Sequence, residues 1–251
     1  MATSAVLDGK EWVITGQKVW TSLAHVADWC FVLARTEPGG ASPGGRPLVR
    51  GRSKGLSYLL VPMRQPGVTV RPIVQLTGTS EFNEVFFDGA RTAAANVVGQ
   101  PCDGWRIAKA TLAIERGSAM LGQQVGFRRE LENLLQAARR TQDPLLRDKL
   151  ARAWIGLEVI REYAMDTLGS GDDTEASVLK VLWSRWHKEL GELAMQVLGA
   201  PSMVARGEPY DLDEWQRIFL FSRADTIYGG SDEIQRNIIA ARALGLPREP
   251  S

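Results

Sequence analysis

Two different spacings of hydrophobic residues divide the 251-residue chain near residue 100. Before that point, short apolar and β-branched runs alternate with turn residues, which is typical of β-strands. We predict tight turns at Asp8–Lys10 and Thr15–Gln17. The stretch Glu37–Gly55 is rich in glycine, proline and arginine and predicts a long surface loop. The predicted strands are EWVITGQKVW, WCFVLART, GLSYLLVPM, GVTVRPI and FNEVFFDG.

After residue 100 the hydrophobic residues recur at helical spacing. We expect a first helix from Gly104 to about Arg140, and Pro144 is well placed to open the second. Ser231 is expected to cap the last helix, which has acidic residues in its first turn. Long helices joined by short breaks predict an up-down bundle. The predicted later helices cover 144–168, 174–199, 211–228 and 231–245.

Together the two patterns predict an α+β, multidomain fold. A partial β-barrel-like domain is expected at residues 1–98, followed by a four-helix-bundle domain at 99–251. The net charge of +1 gives no electrostatic case for nucleic acid or an anionic membrane surface. No apolar run is long enough to predict membrane insertion. The two cysteines, Cys30 and Cys102, form no disulfide framework and favour an intracellular, cytoplasmic location.

The motifs that carry common chemistries are missing from this sequence. It contains no phosphate-binding loop, dinucleotide-binding glycine pattern, zinc-ligand spacing or nucleophile elbow. His25 and His187 have no partner at metal-ligand spacing, so each is read as a surface or packing residue and no metal is expected. A metal-free cofactor, or binding alone, remains.

Three local features have both a structural and a functional interpretation. KVWTS is either an ordinary strand end or a tryptophan and two hydroxyls aimed at a ligand. Glu115, in a largely apolar part of the first helix, lies either on a solvated stripe, which periodicity favours, or is buried for a purpose. Gly229 and Gly230 mark either a plain break between helices or a close approach to the backbone.

Four segments, taken together and in order, resemble the acyl-CoA dehydrogenase family. They are DGKEWVITGQKVWTSLAHVADWCFVLART, TGTSEFNEVFFDGARTAAANVVG, GWRIAKATLAIERG and YGGSDEIQRNIIAARALGLP. The resemblance implies an FAD-dependent enzyme of the fatty acid β-oxidation type, which oxidises an acyl-CoA thioester to the trans-2-enoyl-CoA. A base removes the α proton while hydride leaves the β carbon, and an electron-transfer flavoprotein receives the electrons.

The resemblance also assigns cofactor contacts residue by residue. The WTS segment is expected to lie against the flavin, and QVLGA to contact the FAD of a neighbouring subunit. The start of the last helix is expected to touch FAD through its backbone and the Ser231 hydroxyl. Arg139 or Arg140 matches an arginine that reaches another subunit's FAD, but the aromatic residue that accompanies it is not evident. The implied cofactor residues are Trp20, Thr21, Ser22, Arg139, Gln196, Gly199, Ser231, Asp232 and Glu233.

In many family members the catalytic glutamate follows the tyrosine of the C-terminal turn, where this chain has Gly229. The isovaleryl and long-chain types place the base on the first bundle helix instead, and the matching position is Glu115. The resemblance therefore implies Glu115 as general base, reversing the interpretation from periodicity alone. It implies the Gly229 N–H as a donor to the thioester carbonyl, with Gly230 and Arg116 at the substrate.

The resemblance is incomplete at the start of the chain. MATSAVLDGKEW aligns with the interior of the family's middle domain, so we expect the N-terminal helical domain to be absent and apolar surface to be exposed. A homodimer or homotetramer is expected, or a hetero-oligomer with a related subunit. The alternatives are a catalytically incompetent fragment or structural subunit of such an oligomer, and a flavin monooxygenase on the same fold, which would need no base at Glu115.

Overall fold

The computed structural model describes most of the chain in two compact units. The units are Met1–Gln75 with Thr79–Thr111, and Leu76–Gly78 with Leu112–Ser251. The predicted loop Glu37–Gly55 lies outside the described residues apart from its last two positions. The described ranges are 2–36, 54–167, 173–208 and 211–247, with side chains described at all of them except 113–121 and 173.

The first unit is built on a mixed sheet of seven strands within the described ranges. Their order is β5-β6-β2-β1-β3-β4-β7, and β1 pairs with β3 in parallel while the other pairs are antiparallel. All five predicted strands are confirmed, and the structure adds two that were not predicted, β1 and the two-residue β7. The strands are β1 Ser4–Asp8, β2 Glu11–Ser22, β3 Trp29–Arg35, β4 Leu56–Pro62, β5 Val68–Pro72, β6 Phe82–Ala93 and β7 Val97–Val98.

One predicted turn is wrong. The Asp8–Lys10 turn is confirmed as the β1–β2 hairpin, but β2 continues straight through Thr15–Gln17. Gly16 is needed there for a close approach, since a Cβ on it would lie 2.6 Å from the Thr3 Cα. The irregularity at this point is a bulge in the partner strand β6, where Gly89 is an extra residue at φ +71°.

The second unit consists of packed helices, as predicted, with α3 at its centre. Helix α4 is shorter than predicted because Asp213 and Gln216 form a capping box at its start and the chain leaves the helix after Asp225. The cap at Ser231 is confirmed, since its hydroxyl accepts a hydrogen bond from the Ile234 N–H. The helices are α1 Gly104–Ala137, α2 Pro144–Asp166, α3 Asp173–Leu198, α4 Glu214–Asp225 and α5 Asp232–Arg242.

A single apolar cluster joins α1, α2 and α3 in this unit. Aromatic side chains of α3 form its middle, and aliphatic side chains of α1 and α2 pack around them. Such burial is the main source of stability in a helical bundle. The cluster includes Phe127, Leu131, Leu134, Leu157, Ile160, Trp183, Trp186 and Leu190.

The centre of the helical unit also contains a buried charged group. The His187 side chain is 8% exposed, and its Nδ1 lies 2.5 Å from Asp225 Oδ2 while its Nε2 lies 2.9 Å from Glu130 Oε2. Burial alone would lower the pKa of His187, but the hydrogen bonds to these two carboxylates outweigh it and raise the pKa to about 9. His187 is thus a packing residue with a charge that ties α1, α3 and α4 together.

A substitution at Gly104 tests the contact between the start of α1 and β4. A Cβ on Gly104 would lie 2.5 Å from the Ser57 carbonyl carbon and 2.7 Å from the Tyr58 nitrogen. We expect Gly104→Ala to lower the free energy of unfolding by about 1–3 kcal/mol, because backbone atoms must move. In the same helix a Cβ on Gly126 would meet nothing within 4 Å. The matched control Gly126→Ala should therefore raise stability by up to about 1 kcal/mol. Equal urea-unfolding midpoints for the two variants would contradict this packing.

His187 should make stability depend on pH. Its pKa is about 9 in the fold against an ordinary 6.5, so its stabilisation is complete below pH 6.5 and is lost as the pH rises through 9. We therefore compare the free energy of unfolding of the wild type with that of His187→Gln at two pH values. The difference in favour of the wild type should be about 3 kcal/mol larger at pH 6 than at pH 10.

The control for this experiment is Ser222→Ala, since it removes a buried hydroxyl of α4 that carries no charge at these pH values. Its stability difference from the wild type should stay constant over the same pH series in urea. A difference for His187→Gln that does not change with pH would show that the imidazole is neutral in the fold.

Candidate functional site

Strand β2 has a second bulge at the WTS segment. Between Lys18 and Thr21, both paired with β6, β2 holds one residue more than its partner strand. Trp20 lies in this bulge at φ 62°, a left-handed conformation that is uncommon for a bulky side chain. Bulges re-aim side chains, and strained residues cluster at functional sites. The strain therefore supports a functional interpretation of Trp20.

The bulge presents a flat ring and two hydroxyls to solvent. Trp20 is 62% exposed, and only an edge of its ring meets Phe82, with ring centroids 6.2 Å apart at 78°. Within the described residues the Thr21 and Ser22 hydroxyls have no hydrogen-bond partner. The buried Asn83 amide fixes the segment by donating to the Thr21 carbonyl at 3.1 Å. An exposed indole beside free hydroxyls fits a planar ligand with a polar edge, such as an isoalloxazine.

The glycine turn in the second unit exposes a free backbone donor. Gly229 and Gly230 have φ values of 65° and 98°, so both require the left-handed region. A Cβ on Gly230 would lie 2.2 Å from the Gln235 Nε2, whereas one on Gly229 would make only an ordinary 3.5 Å contact with Lys180 Cε. Gly229 is exposed, and its N–H has no acceptor in the part of the chain that the structure describes.

The residues that start α5 point in different directions. The Ser231 hydroxyl accepts from the Ile234 N–H of its own helix. The Asp232 carboxylate is buried and accepts from the Ser184 hydroxyl at 3.1 Å and the Arg185 Nε at 3.0 Å. Glu233 is exposed. The cofactor contacts predicted for these residues stay predictions, and at Asp232 the carboxylate is already engaged by α3.

Arg139 lines a polar recess of about 560 Å³ in the helical unit. Arg140 lines it too, together with the indole of Trp215, which comes from the start of α4. The sequence near Arg139 showed no aromatic residue. In the structure an aromatic ring, that of Trp215, lies in the same recess and comes from a distant part of the chain. The recess combines two cationic side chains and an aromatic ring, which can contact a planar group, with one carboxylate, that of Glu214.

Gln196 and Gly199 lie at the end of α3. Gln196 lines a second recess of about 570 Å³ whose other walls are mostly apolar. Its Oε1 accepts from the Lys149 Nζ at 2.7 Å, which leaves the amide nitrogen available. Gly199 ends the helix at φ 69°, where a side chain would be strained. Other side chains lining this recess are Met195, Met203, Phe219 and Leu220.

The predicted base and its neighbour are in α1. Glu115 and Arg116 fall in the stretch whose side chains lie outside the described residues, so their roles stay predictions. Over the described ranges, no group of three or more His, Cys, Asp or Glu side chains is arranged so that it could hold a metal ion. No helix in those ranges has the length and hydropathy needed to cross a membrane.

Comparison with known proteins covers both units. Residues 1–90 match the family model "Acyl-CoA dehydrogenase, middle domain", and residues 102–244 match "Acyl-CoA dehydrogenase, C-terminal domain". The chain is 60% identical to the acyl-CoA dehydrogenase IpdE1 of Mycobacterium tuberculosis over 256 residues, covering 99% of this chain and 63% of that protein. It therefore spans less than two thirds of that relative's length.

Solved structures agree with the sequence matches. The "Tcur3481-Tcur3483 steroid ACAD" shares 27% identity at a TM-score of 0.83, covering 99% of this chain and 64% of that chain. The ChsE4-ChsE5 complex from Mycobacterium tuberculosis shares 28% identity at a TM-score of 0.82, covering 99% of this chain and 65% of that chain. Because the C-terminal model alone covers more than half of the sequence, this chain belongs to the acyl-CoA dehydrogenase family.

Proposed function

We propose that this chain carries out the FAD-dependent α,β-dehydrogenation of an acyl-CoA thioester, giving the trans-2-enoyl-CoA. Proteins of the family are FAD-dependent flavoproteins. The observation that carries the proposal is the exposed Gly229 N–H, which has no acceptor among the described residues. A fixed backbone donor of this kind can hold a carbonyl oxygen on which negative charge develops.

The reaction divides between an acid–base part and an electron-transfer part. FAD, when bound, supplies the acceptor for the hydride that leaves the β carbon. The Glu115 carboxylate takes the proton from the α carbon, and the Cα–Cβ double bond forms as both hydrogens leave. The Gly229 N–H binds the thioester oxygen and thereby makes the α proton more acidic. Gly230 and Arg116 are proposed to lie at the substrate.

Each unit, taken by itself, has residues that suit a part of the cofactor. The first unit offers the Trp20 ring and the free hydroxyls of Thr21 and Ser22, which suit the flavin ring. The second unit offers the recess of Arg139 and Trp215, which suits a planar part of FAD. The remaining proposed FAD contacts are Gln196, Gly199, Ser231, Asp232 and Glu233.

The similar structures support a proposal for the substrate class and the partners. The two structures at 27% and 28% identity are a steroid acyl-CoA dehydrogenase of two proteins and a ChsE4-ChsE5 complex. We therefore favour a bulky, steroid-derived acyl group over a linear fatty acid, and an oligomer with a related subunit over a homotetramer. An electron-transfer flavoprotein is the proposed electron acceptor. The free Cys30 and Cys102 support a cytoplasmic location.

A second candidate function is a structural subunit of a mixed acyl-CoA dehydrogenase oligomer, without chemistry of its own. The two-protein composition of the similar structures favours it. In that case the chain would stabilise its partner, and substitution of Glu115 would leave the activity of the oligomer unchanged.

Trp20 should contribute to FAD affinity. We expect Trp20→Ala to weaken FAD binding about tenfold or more, because stacking on an aromatic side chain contributes about 1–3 kcal/mol. Trp29, on β3, is a matched control, since it is 55% exposed and belongs to the same sheet. Trp29→Ala should leave the affinity unchanged in a titration followed by flavin absorbance. Wild-type protein that gains no flavin absorbance would contradict the cofactor assignment.

Glu115 should be essential for proton removal. In the FAD-loaded protein in its native oligomer, Glu115→Gln should lower kcat on the order of 10² to 10⁴-fold, because an amide cannot accept the α proton. Flavin content should remain that of the wild type. The control Glu132→Gln changes an exposed glutamate of the same helix and should keep kcat. Full turnover by Glu115→Gln would place the base elsewhere and favour the structural subunit.

A further inference from the structure

A chain of polar contacts runs from α1 to the residue before Gly229. Glu130 Oε2 lies 2.9 Å from His187 Nε2, and His187 Nδ1 lies 2.5 Å from Asp225 Oδ2. The other oxygen of the same carboxylate, Asp225 Oδ1, accepts the Tyr228 hydroxyl at 2.7 Å. Each of the two Asp225 carboxylate oxygens thus has a partner. Through Asp225 and His187, Tyr228 is connected to Glu130 on α1.

Two more buried side chains hold the turn itself. Lys180, on α3, donates to the Asp225 backbone carbonyl, and its ammonium lies 5.5 Å from the centre of the Tyr228 ring. On the other side of the turn, the Gln235 amide donates to the Gly229 carbonyl at 3.1 Å and the Gly230 carbonyl at 3.4 Å. The peptide groups that follow Gly229 and Gly230 are therefore tied to α5, and the residue that precedes them is tied to α3 and α4.

The turn needs these ties because of its composition. Two consecutive glycines have more backbone freedom than any other pair and lose more entropy when they are fixed. Without an external restraint, the Gly229 N–H would sample several directions. The Tyr228 ring and hydroxyl, one peptide bond away, set the direction from which the chain enters Gly229.

We propose that Glu130, His187, Asp225 and Tyr228 act together as positioning residues that hold the Gly229 N–H in its donor orientation. This inference rests on the proposed function, in which that N–H binds the thioester oxygen. None of the four contacts substrate in the proposal; they act through the turn. Burial and the Asp225 carboxylate both raise the pKa of Tyr228, so its hydroxyl keeps its proton and remains a donor at physiological pH.

Tyr228→Phe is the test variant, because it removes the hydroxyl that contacts Asp225 and Gln123 and keeps the ring. The control is Ser222→Ala, which removes a buried hydroxyl of α4 whose hydrogen bond, among the described residues, goes to the Phe219 carbonyl of the same helix. Hydrogen exchange by mass spectrometry would be measured on the peptide spanning 226–235 in the FAD-loaded protein. We expect Tyr228→Phe to speed its exchange at least tenfold, and Ser222→Ala to leave it unchanged.

Steady-state kinetics on the same proteins test the consequence. We expect Tyr228→Phe to lower kcat at least tenfold with flavin content retained and KM within threefold, because the carbonyl oxygen would be held less well in the transition state than in the wild type. Asp225→Asn, which keeps an oxygen acceptor for Tyr228, should retain more of kcat than Asp225→Leu. A merely structural role would lower the thermal midpoint and leave kcat per bound flavin as in the wild type.

The outcomes separate this inference from the proposed function. Unchanged exchange at the turn in Tyr228→Phe overturns the inference, and so does faster exchange with an unchanged kcat. If Asp225→Leu does not fold, Tyr228→Phe and its control still decide. Wild-type protein that binds FAD but oxidises no acyl-CoA would end the proposed function, and the exchange comparison would still decide whether these residues hold the turn.

Discussion

A carboxylate that is 1% exposed, such as that of Asp225, loses its hydration on folding, at a cost of several kcal/mol unless donors surround it. In this chain two side chains meet that carboxylate, the His187 ring and the Tyr228 hydroxyl, and Lys180 donates to the backbone carbonyl of the same residue. His187 and Lys180 belong to α3, Tyr228 belongs to the glycine turn, and the second nitrogen of His187 pairs with Glu130 of α1. Satisfying one buried carboxylate thus fixes the relative positions of α1, α3, α4 and the glycine turn.

The need to satisfy a buried carboxylate also bears on why the interior of the helical unit contains charged residues. An apolar side chain at position 225 would pack well, and packing alone does not select one orientation for a loop of small residues. Hydrogen bonds are directional, so a satisfied network selects a single arrangement of the chain that leaves α4. In the proposed function the Gly229 N–H must keep one direction, and directional contacts to the neighbouring Tyr228 would restrain it.

In the β unit, the direction of a side chain is set by a bulge in strand β2. A strand with regular pairing would point alternate side chains to opposite faces, and the extra residue at Trp20 breaks that alternation. Trp20 therefore projects into solvent with its ring exposed, and the Asn83 amide holds the following peptide. The bulge in this unit exposes the Trp20 ring. The glycine turn in the helical unit exposes the Gly229 N–H. A regular strand or helix would direct these groups elsewhere.

The local sequence alone determined five of the seven strands, the five helices, the α+β class and the Ser231 cap, because these depend on residues close together in the sequence. The family resemblance supplied Trp20, Glu115 and Gly229 as candidates. Only the tertiary structure revealed that Thr15–Gln17 continues a strand, that Trp215 lies with Arg139, and that His187 pairs with two carboxylates. These features depend on residues tens of positions apart, whose meeting follows from packing and the satisfaction of buried charge, and no local pattern records it.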